Sequence, residues 1–596
     1  MHRPSLGLSA LKASLTASGV AADVAYLNLG FARMIGRRRY EHVIESVNYA
    51  ALAGEWIFAS ALGDGENAVR DNDYLSQVLQ GRWGADTYTV RVLQDAHRIG
   101  REYLEYCARQ IPWDRYDVIG FTSSGAQNVA ALAIAKRVKE SHPGCTVVFG
   151  GSNWDGEMGR GLFSAFAWVD YVCQGEADVS FPRLVSALLS GLEPVDVPGV
   201  LRRTSEGILS TGESGPQPDM ELLPDADHSD YYSALAQTGY DLEFRPGLLL
   251  ETSRGCAWSV AGPCRFCSQY GVGRKYRALD APRALAKARA LSATVPGATV
   301  EFVDNALSPG FLKEALPDLA AEPLPGGFFC EVRPDISREQ VSLMAAAGGI
   351  IQVGIESLSD HVLRLMHKGA SSLENVRLLK WCTEYGVTIL WNILYGFPGE
   401  TEADYESSID LIGALHSFAP PTTVQPMVLE RFSEYFEHAS AHGIANVRPS
   451  PAYRYTYPLV PEALRRVAYC FDFEMPGAPD LSESTRRLHA AVDDWRRAHG
   501  DSELRSRECE GRLVLTDTRS CASSQRVELD ELDSFLCAAA AGIATFERLE
   551  ALAQERFPSR RGRRASLRER LEELVERRLM ISSGSRYLSL ALPATD

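Results

Sequence analysis

The chain has 596 residues, 45% hydrophobic and 23% charged, a globular balance with length for three or four domains that each bury a core. A formal net charge of −16 argues against a general nucleic-acid binder, although a local basic patch stays open. No apolar run reaches the length of a membrane span, and twelve cysteines spread without a paired framework point to a reducing, cytoplasmic setting.

At the start, Leu8, Leu11 and Leu15 share one face of a helix, and Lys12 interrupts what would otherwise resemble a signal peptide. Strands are predicted over 117–122, 145–149 and 169–173, and helices over 129–140, 157–166 and 181–189. This alternation with short links predicts the parallel sheet of a Rossmann-like α/β domain over residues 1–200. Ligands bind such sheets at the carboxyl ends of the strands. Those ends carry Ser123, Ser124, Gln127 and Asn128, then Gly150, Gly151, Ser152 and Asn153, then Gly175 and Glu176. They are small and polar, so a backbone can approach a large planar or phosphorylated ligand. Gly and Asn serve plain loops equally well. Residues 201–245 are a linker with a hairpin at 205–207.

Residues 246–440 alternate again, with strands over 248–252, 299–303, 327–330, 350–355, 388–395 and 422–428. Helices between them include 281–291, 338–347 and 373–385. Repeated βα units predict a partial or full (β/α) barrel with function at the strand ends, where Asp304, Asn305, Glu331, Arg333 and Glu356 fall. After the first of these strands comes Cys256-Ala-Trp-Ser-Val-Ala-Gly-Pro-Cys264-Arg-Phe-Cys267. Three thiolates so spaced can converge on a metal centre with an open position. Four-iron clusters usually take four thiolates, and structural zinc also wants four ligands. The next cysteine is Cys330, so the spacing admits a cluster, a zinc site or loose core thiols. Residues 441–520 are expected to be a helical or irregular extension. Over 521–596, helices at 529–541, 545–557 and 566–580 and a hairpin at 581–590 predict a winged-helix-like α+β module. It carries a basic cluster of Arg560, Arg561, Arg563, Arg564, Arg568 and Arg570, which suits peptide docking, DNA binding or a solvated face.

With Phe266 beside the last cysteine, and Gly354-Ile-Glu356-Ser357 and Gly396-Phe-Pro-Gly-Glu400 downstream, the barrel resembles a radical S-adenosylmethionine (SAM) enzyme. The upstream sheet resembles the cobalamin-binding domain of the B12-dependent class. From Pro4-Ser-Leu-Gly-Leu8, through Arg431-Phe-Ser433-Glu-Tyr-Phe436, to Tyr587-Leu-Ser-Leu-Ala-Leu592, the chain resembles the ribosomal peptide (RiPP) maturation radical SAM protein 1 family. The resemblance implies a [4Fe-4S] cluster on Cys256, Cys264 and Cys267, with SAM on the open iron as source of a 5′-deoxyadenosyl radical. It places Phe266 against adenine, Asp304 and Asn305 at the SAM amino group, and Glu331 and Arg333 at ribose or carboxylate. Glu356 would line the pocket, and an Arg333–Glu356 ion pair is the structural alternative. Cobalamin would sit at the ten strand-end residues of the first domain. The implied activity is C-methylation of an unactivated carbon in a precursor peptide whose leader the C-terminal module holds. A reductase, flavodoxin or ferredoxin would supply electrons. Ring closure, epimerisation and a cobalamin- or cluster-sensing DNA-binding regulator are the alternatives.

Three departures from the pattern stand out. The first two cysteines are four residues further apart than in most radical SAM enzymes. The Asp-x-His-x-x-Gly cobalamin motif is missing, so cobalt is expected to lack a protein histidine. The chain enters the Pro4 segment directly, so the first strand is expected either to be absent from the sheet or to lie upstream of this start.

Overall fold

A computed structural model describes residues 3–63, 68–212, 215, 217–240, 246–268, 275–558 and 564–594. The chain divides into two units. The first comprises Met1–Leu249, Val428–Arg431 and Ala445–Glu474, and the second Leu250–Met427, Phe432–Ile444 and Met475–Asp596.

In the first unit, apolar runs become β1 (Val118–Thr122), β2 (Thr146–Gly150) and β3 (Tyr171–Cys173), paired in parallel with Ile119 opposite Val147. β4 (Val200–Thr204) and β5 (Gly207–Ser210) add antiparallel, giving the order β1-β2-β3-β4-β5. The predicted hairpin at 205–207 is the β4–β5 turn, so part of the expected linker belongs to the sheet. Val148, Cys173, Leu184, Val197 and Val200 pack a core between strands and helices. The helix Asn128–Ser141 follows β1, and its first N–H groups, on Asn128 and Val129, donate to the buried Glu55 carboxylate at 2.9 and 2.6 Å. An anion suits a helix N-terminus. Burial nonetheless pushes Glu55 up to about 7 against those two hydrogen bonds. Ahead of the sheet the chain is helical, including Thr87–Gln110 capped by Asp86, where the sequence reading offered no element beyond the first helix. Among the described residues β1 is an edge strand, and it borders a groove of about 430 Å³ lined by Leu8, Leu11, Leu15, Phe121, Phe181 and Val185 among others.

The second unit is built on a six-stranded sheet. Its strands are β6 (Leu248–Leu250), β9 (Val300–Phe302), β10 (Phe328–Val332), β11 (Gly349–Glu356), β12 (Thr388–Tyr395) and β13 (Thr423–Pro426), in the order β13-β12-β11-β10-β9-β6. The pairs from β9 to β13 are parallel. A short antiparallel pair, β7 (Ser253–Arg254) and β8 (Arg277–Ala278), follows β6. Among the described residues β13 and β6 are both edge strands, so the barrel is partial. Local chemistry sets the crossover helices. Ser337 with Gln340 and Ser371 with Glu374 form capping boxes for Arg338–Ala346 and Ser372–Tyr385, and Gly386 ends the latter at φ 72°. Period-two alternation buries Phe328, Cys330 and Val332 and turns Glu331 to the other face, beside Gln352.

The tail matches its expected plan. Helices Glu531–Ala539, Phe546–Arg556 and Arg564–Glu576 precede a hairpin of Met580–Ser583 and Arg586–Ser589. The extension at 441–520 does not: Ala445–Glu474 belongs to the first unit, and Leu504–Cys509 and Arg512–Asp517 form a regular antiparallel hairpin. Lys380 donates to the carbonyls of Ala541 and Ser589 at 3.0 and 2.6 Å, and burial lowers it to about 8. No helix among the described residues is long and apolar enough to cross a membrane.

Candidate active site

The cysteine loop leaves β6 under firm local control. Asp304, just beyond β9, accepts from the N–H groups of Thr252 and Ser253, both at 2.8 Å, and from the Thr252 hydroxyl. Asp304 is 2% exposed, and burial pushes its carboxyl up to about 6 against these three donors. Its oxygens are thus engaged at the root of the loop. Asn305 is exposed.

Cys256 caps a single helical turn, Ala257–Ala261, which occupies the long spacing before Cys264. Cys267 closes back, its N–H donating to the Cys264 carbonyl at 3.1 Å. All three thiols are partly exposed, whereas Cys330, Cys382 and Cys470 lie in the core. Burial raises the Cys264 thiol, Lys368 and Arg333 pull it back toward the thiolate, and Glu356 and Cys256 add to the rise. Two cations beside Cys264 suit a centre built on thiolate charge. Among the described residues no three His, Cys, Asp or Glu side chains are grouped to hold a single ion. Each thiolate of a cluster binds a different iron, so its ligands stand further apart than those sharing one ion.

The polar groups around the loop form a network. Lys368 Nζ pairs with Glu356 Oε1 at 3.0 Å and lies 5.6 Å from the centroid of the Phe266 ring. Glu356 ends β11 at φ 60°, a left-handed value rare for a side chain of its kind. Arg333 does not pair with Glu356. Its guanidinium stands 4.2 Å over the Trp258 ring, and its Nε lies 3.5 Å from Asp335. The lysine holds Glu356, so the alternative of a mutual Arg333–Glu356 pair is set aside. Glu331 on β10 is half-buried. Burial first, and then Glu356, push its carboxyl up to about 7, while Lys368 pulls it down. Phe266 meets Phe397 edge-on at 5.7 Å. Sequence reasoning missed Lys368 and Trp258. In the sequence Lys368 follows Arg364 and His367 in a mixed apolar and basic stretch, and no spacing singles it out.

In the first unit, the strand ends divide into two sets. Ser124, Gln127 and Ser152 are exposed at the mouth. Ser123, Asn128 and Glu176 are buried. Asn128 spends its amide inside, accepting from Trp154 Nε1 at 2.9 Å and donating to the Tyr457 hydroxyl at 3.0 Å, so it does not reach the mouth. Asn153 donates to the Ser123 hydroxyl and the Gly125 carbonyl, both at 2.9 Å. Gly151 has φ 93°, and a Cβ there would lie 2.6 Å from the Ser123 carbonyl oxygen. Glycine is therefore required between Gly150 and Ser152. The Gly175 N–H donates to Asp155.

Comparison with known proteins gives the barrel a family. Residues 250–412 match the Radical SAM superfamily. An uncharacterized methyltransferase of Pyrococcus horikoshii is 25% identical over 331 residues, 54% of this chain and 69% of that protein. The hopanoid C-3 methylase of Methylococcus capsulatus is 26% identical over 302 residues, 48% of this chain and 54% of that protein. A solved structure of the cobalamin-dependent SAM radical enzyme OxsB, with aqua-cobalamin and SAM bound, superposes with a TM-score of 0.51. It is 14% identical and covers 65% of this chain and 59% of that one, a likeness of fold. The chain thus carries a Radical SAM domain over residues 250–412, and that domain implies a [4Fe-4S] cluster and SAM.

Proposed function

We propose that this protein is a cobalamin-dependent radical SAM enzyme that methylates an unactivated carbon of a ribosomally made precursor peptide. The observation that carries it is the Cys256, Cys264 and Cys267 loop beside Lys368 and Arg333, at the strand ends of a Radical SAM domain. When bound, the cluster with SAM supplies one-electron carbon chemistry and the corrinoid a transferable methyl group. The protein's own tasks are to bind, orient and exclude water. Lys368 and Arg333 offer donors and positive charge to an anionic group, Glu331 and Glu356 accept from hydroxyls, and Phe266 offers an apolar face.

The methyl-transfer part of the reading is supported by the methylase relatives, and the cobalamin part by the fold shared with OxsB and by the first unit's own chemistry. Ser124, Gln127 and Ser152 leave small polar groups at an open mouth, and Gly151 brings backbone close to it. The three strand-end loops contain no histidine. Protein loaded with a corrinoid and reduced to Co(II) is therefore expected to show no coupling to a protein nitrogen in its paramagnetic resonance. Splitting by a protein nitrogen would contradict the site, and failure to hold any corrinoid would remove the methyl-transfer mechanism.

The C-terminal module is proposed to hold the precursor's leader. Arg560, Arg561 and Arg563 of the basic cluster lie outside the described residues. Arg570 is spent internally on Asp530 and Asp533, and Arg568 stands 4.5 Å over the Phe546 ring. An acidic leader would complement the charge of the cluster's remaining arginines. Replacing Arg560, Arg561, Arg563 and Arg564 by Ser should raise the precursor Kd and flatten its salt dependence, leaving uncoupled SAM cleavage unchanged. Unchanged precursor affinity would refute the leader site. Lost affinity for duplex DNA would favour a regulator. An electron donor of the flavodoxin, ferredoxin or reductase class completes the proposed set of partners.

A further inference from the structure

The turn after the helix Asp360–Leu365 is the seat of the cysteine loop. Its successive carbonyls are each taken by a group from that loop or its neighbours. Leu365 accepts from the Tyr435 hydroxyl at 2.7 Å, and Met366 from the Arg265 N–H at 3.0 Å. His367 accepts from Trp258 Nε1 and Lys368 from the Arg333 guanidinium, both at 3.3 Å. The last carbonyls of a helix need outside partners, and here the cysteine loop supplies two of the four, through Arg265 and Trp258.

Trp258 is the side chain through which the extra helical turn grips this seat. A methyl group on Gly369 would lie 2.2 Å from Cη2 of the indole, so the ring rests directly on that glycine. Gly262, at the end of the same turn, is packed as tightly: a Cβ there would lie 2.5 Å from the His367 ring. The same indole carries the Arg333 guanidinium, 4.2 Å from its centroid. One side chain therefore ties together the segment between Cys256 and Cys264, the turn that bears Lys368, and the cation on β10's far end.

We propose that Trp258 is a positioning residue. Seated on Gly369 and stacked with Arg333, it fixes the long Cys256–Cys264 segment and so sets both the spread of the thiolates and the aim of Arg333 toward the anionic end of SAM. This rests on the cluster reading of the three cysteines and is independent of corrinoid and peptide. The seven-residue spacing, instead of slackening the site, provides the turn that carries its own anchor.

The test uses the full chain, purified and reconstituted without oxygen, as the parent and as W258A, W258F, G369A and R333K. The parent should hold about four irons. If it holds none, the cluster reading fails, and that failure is separate from any failure of Trp258. W258A keeps all three thiolates and should keep its iron. Its reduced-cluster paramagnetic spectrum should broaden into several species, and its Kd for SAM should rise about tenfold, the scale of a partly desolvated cation–π contact. W258F retains a ring beneath Arg333 but no N–H donor and should fall between W258A and the parent. G369A, which unseats the indole without altering it, should follow W258A. R333K keeps the charge and loses the planar stack, so it should weaken SAM binding while leaving the SAM-free spectrum as in the parent. A purely structural role for Trp258 would lower the thermal midpoint and move neither the spectrum nor the SAM affinity per cluster. The proposal is overturned if W258A shows the parent spectrum and SAM Kd. If W258A assembles no cluster, parent-like spectra and affinities in both W258F and G369A overturn it, and graded losses in the two uphold it.

Discussion

Replacing Cys256, Cys264 and Cys267 together by Ala should strip the protein of iron, of visible charge-transfer absorption and of SAM cleavage at once, while leaving it folded. The fold should survive because these thiols are partly exposed and contribute little to the core. Their loss removes ligands rather than packing. The contrast is Cys382, which is buried among helix and strand and whose thiol burial pushes up to about 12. A thiol enclosed in the core offers no face to a cluster. Cys382→Ala should therefore keep full iron and cost roughly 1–2 kcal/mol of stability through a small cavity. Iron and thermal midpoint measured on both variants separate the two kinds of cysteine. Retention of iron by the triple variant would sink the cluster assignment.

Removing Asp304 should cost stability where removing the three thiols does not. Its carboxylate is buried and accepts from two backbone N–H groups and one hydroxyl at the root of the cysteine loop. Asp304→Ala leaves the N–H groups of Thr252 and Ser253 buried without partners, at a cost of about 3 kcal/mol or more. The loop's origin is then free, so iron content should fall with stability, although no thiolate is touched. Asp304→Asn keeps one acceptor oxygen and should lose roughly half as much. It should also alter the pH profile. Burial raises the Asp304 carboxyl from 3.8 to about 6 in the native state. Between those values the folded protein holds a proton that the unfolded chain has released, so this group's contribution is lost as pH rises through the window. The Asn variant does not titrate there and should lose less stability than the parent between those two pH values. Parallel profiles for variant and parent, from denaturant unfolding at several pH values, would contradict the assignment.

Much of the architecture is written locally. The apolar runs at Val118–Thr122 and Thr146–Gly150 with intervening helices announce parallel pairing, since both faces must be buried. Ser337 with Gln340 and Ser371 with Glu374 mark helix starts in the sequence itself. The three-cysteine loop is likewise legible, because cluster ligation depends on spacing along the chain. What stayed hidden depends on distant partners. Asp304 reads as a strand-end acid in the sequence, and only folding reveals that Thr252 and Ser253 have claimed it. Lys368 gains meaning by meeting Glu356, and Arg333 by stacking on Trp258 rather than pairing with that glutamate. The segment Ala445–Glu474 follows the barrel in sequence yet belongs to the first unit, a return that no local pattern encodes. The hairpin of Leu504–Cys509 and Arg512–Asp517 was missed because Leu504–Cys509 is mostly polar and Leu513-Val-Leu515 is a continuous run, so neither strand shows the alternation that marks a half-buried strand.

The central claim is methyl transfer to a peptide, and one measurement addresses it directly. The protein is produced in cobalamin-supplied cells together with any short peptide encoded beside its gene, in medium whose methionine carries a deuterated methyl group, and the peptide is then analysed by mass. The account predicts a peptide heavier by one intact labelled methyl group, located by fragmentation on carbon, and no such product from the Cys256, Cys264 and Cys267 variant. A peptide that loses two hydrogens, changes configuration without changing mass, or gains an unlabelled group would contradict methylation.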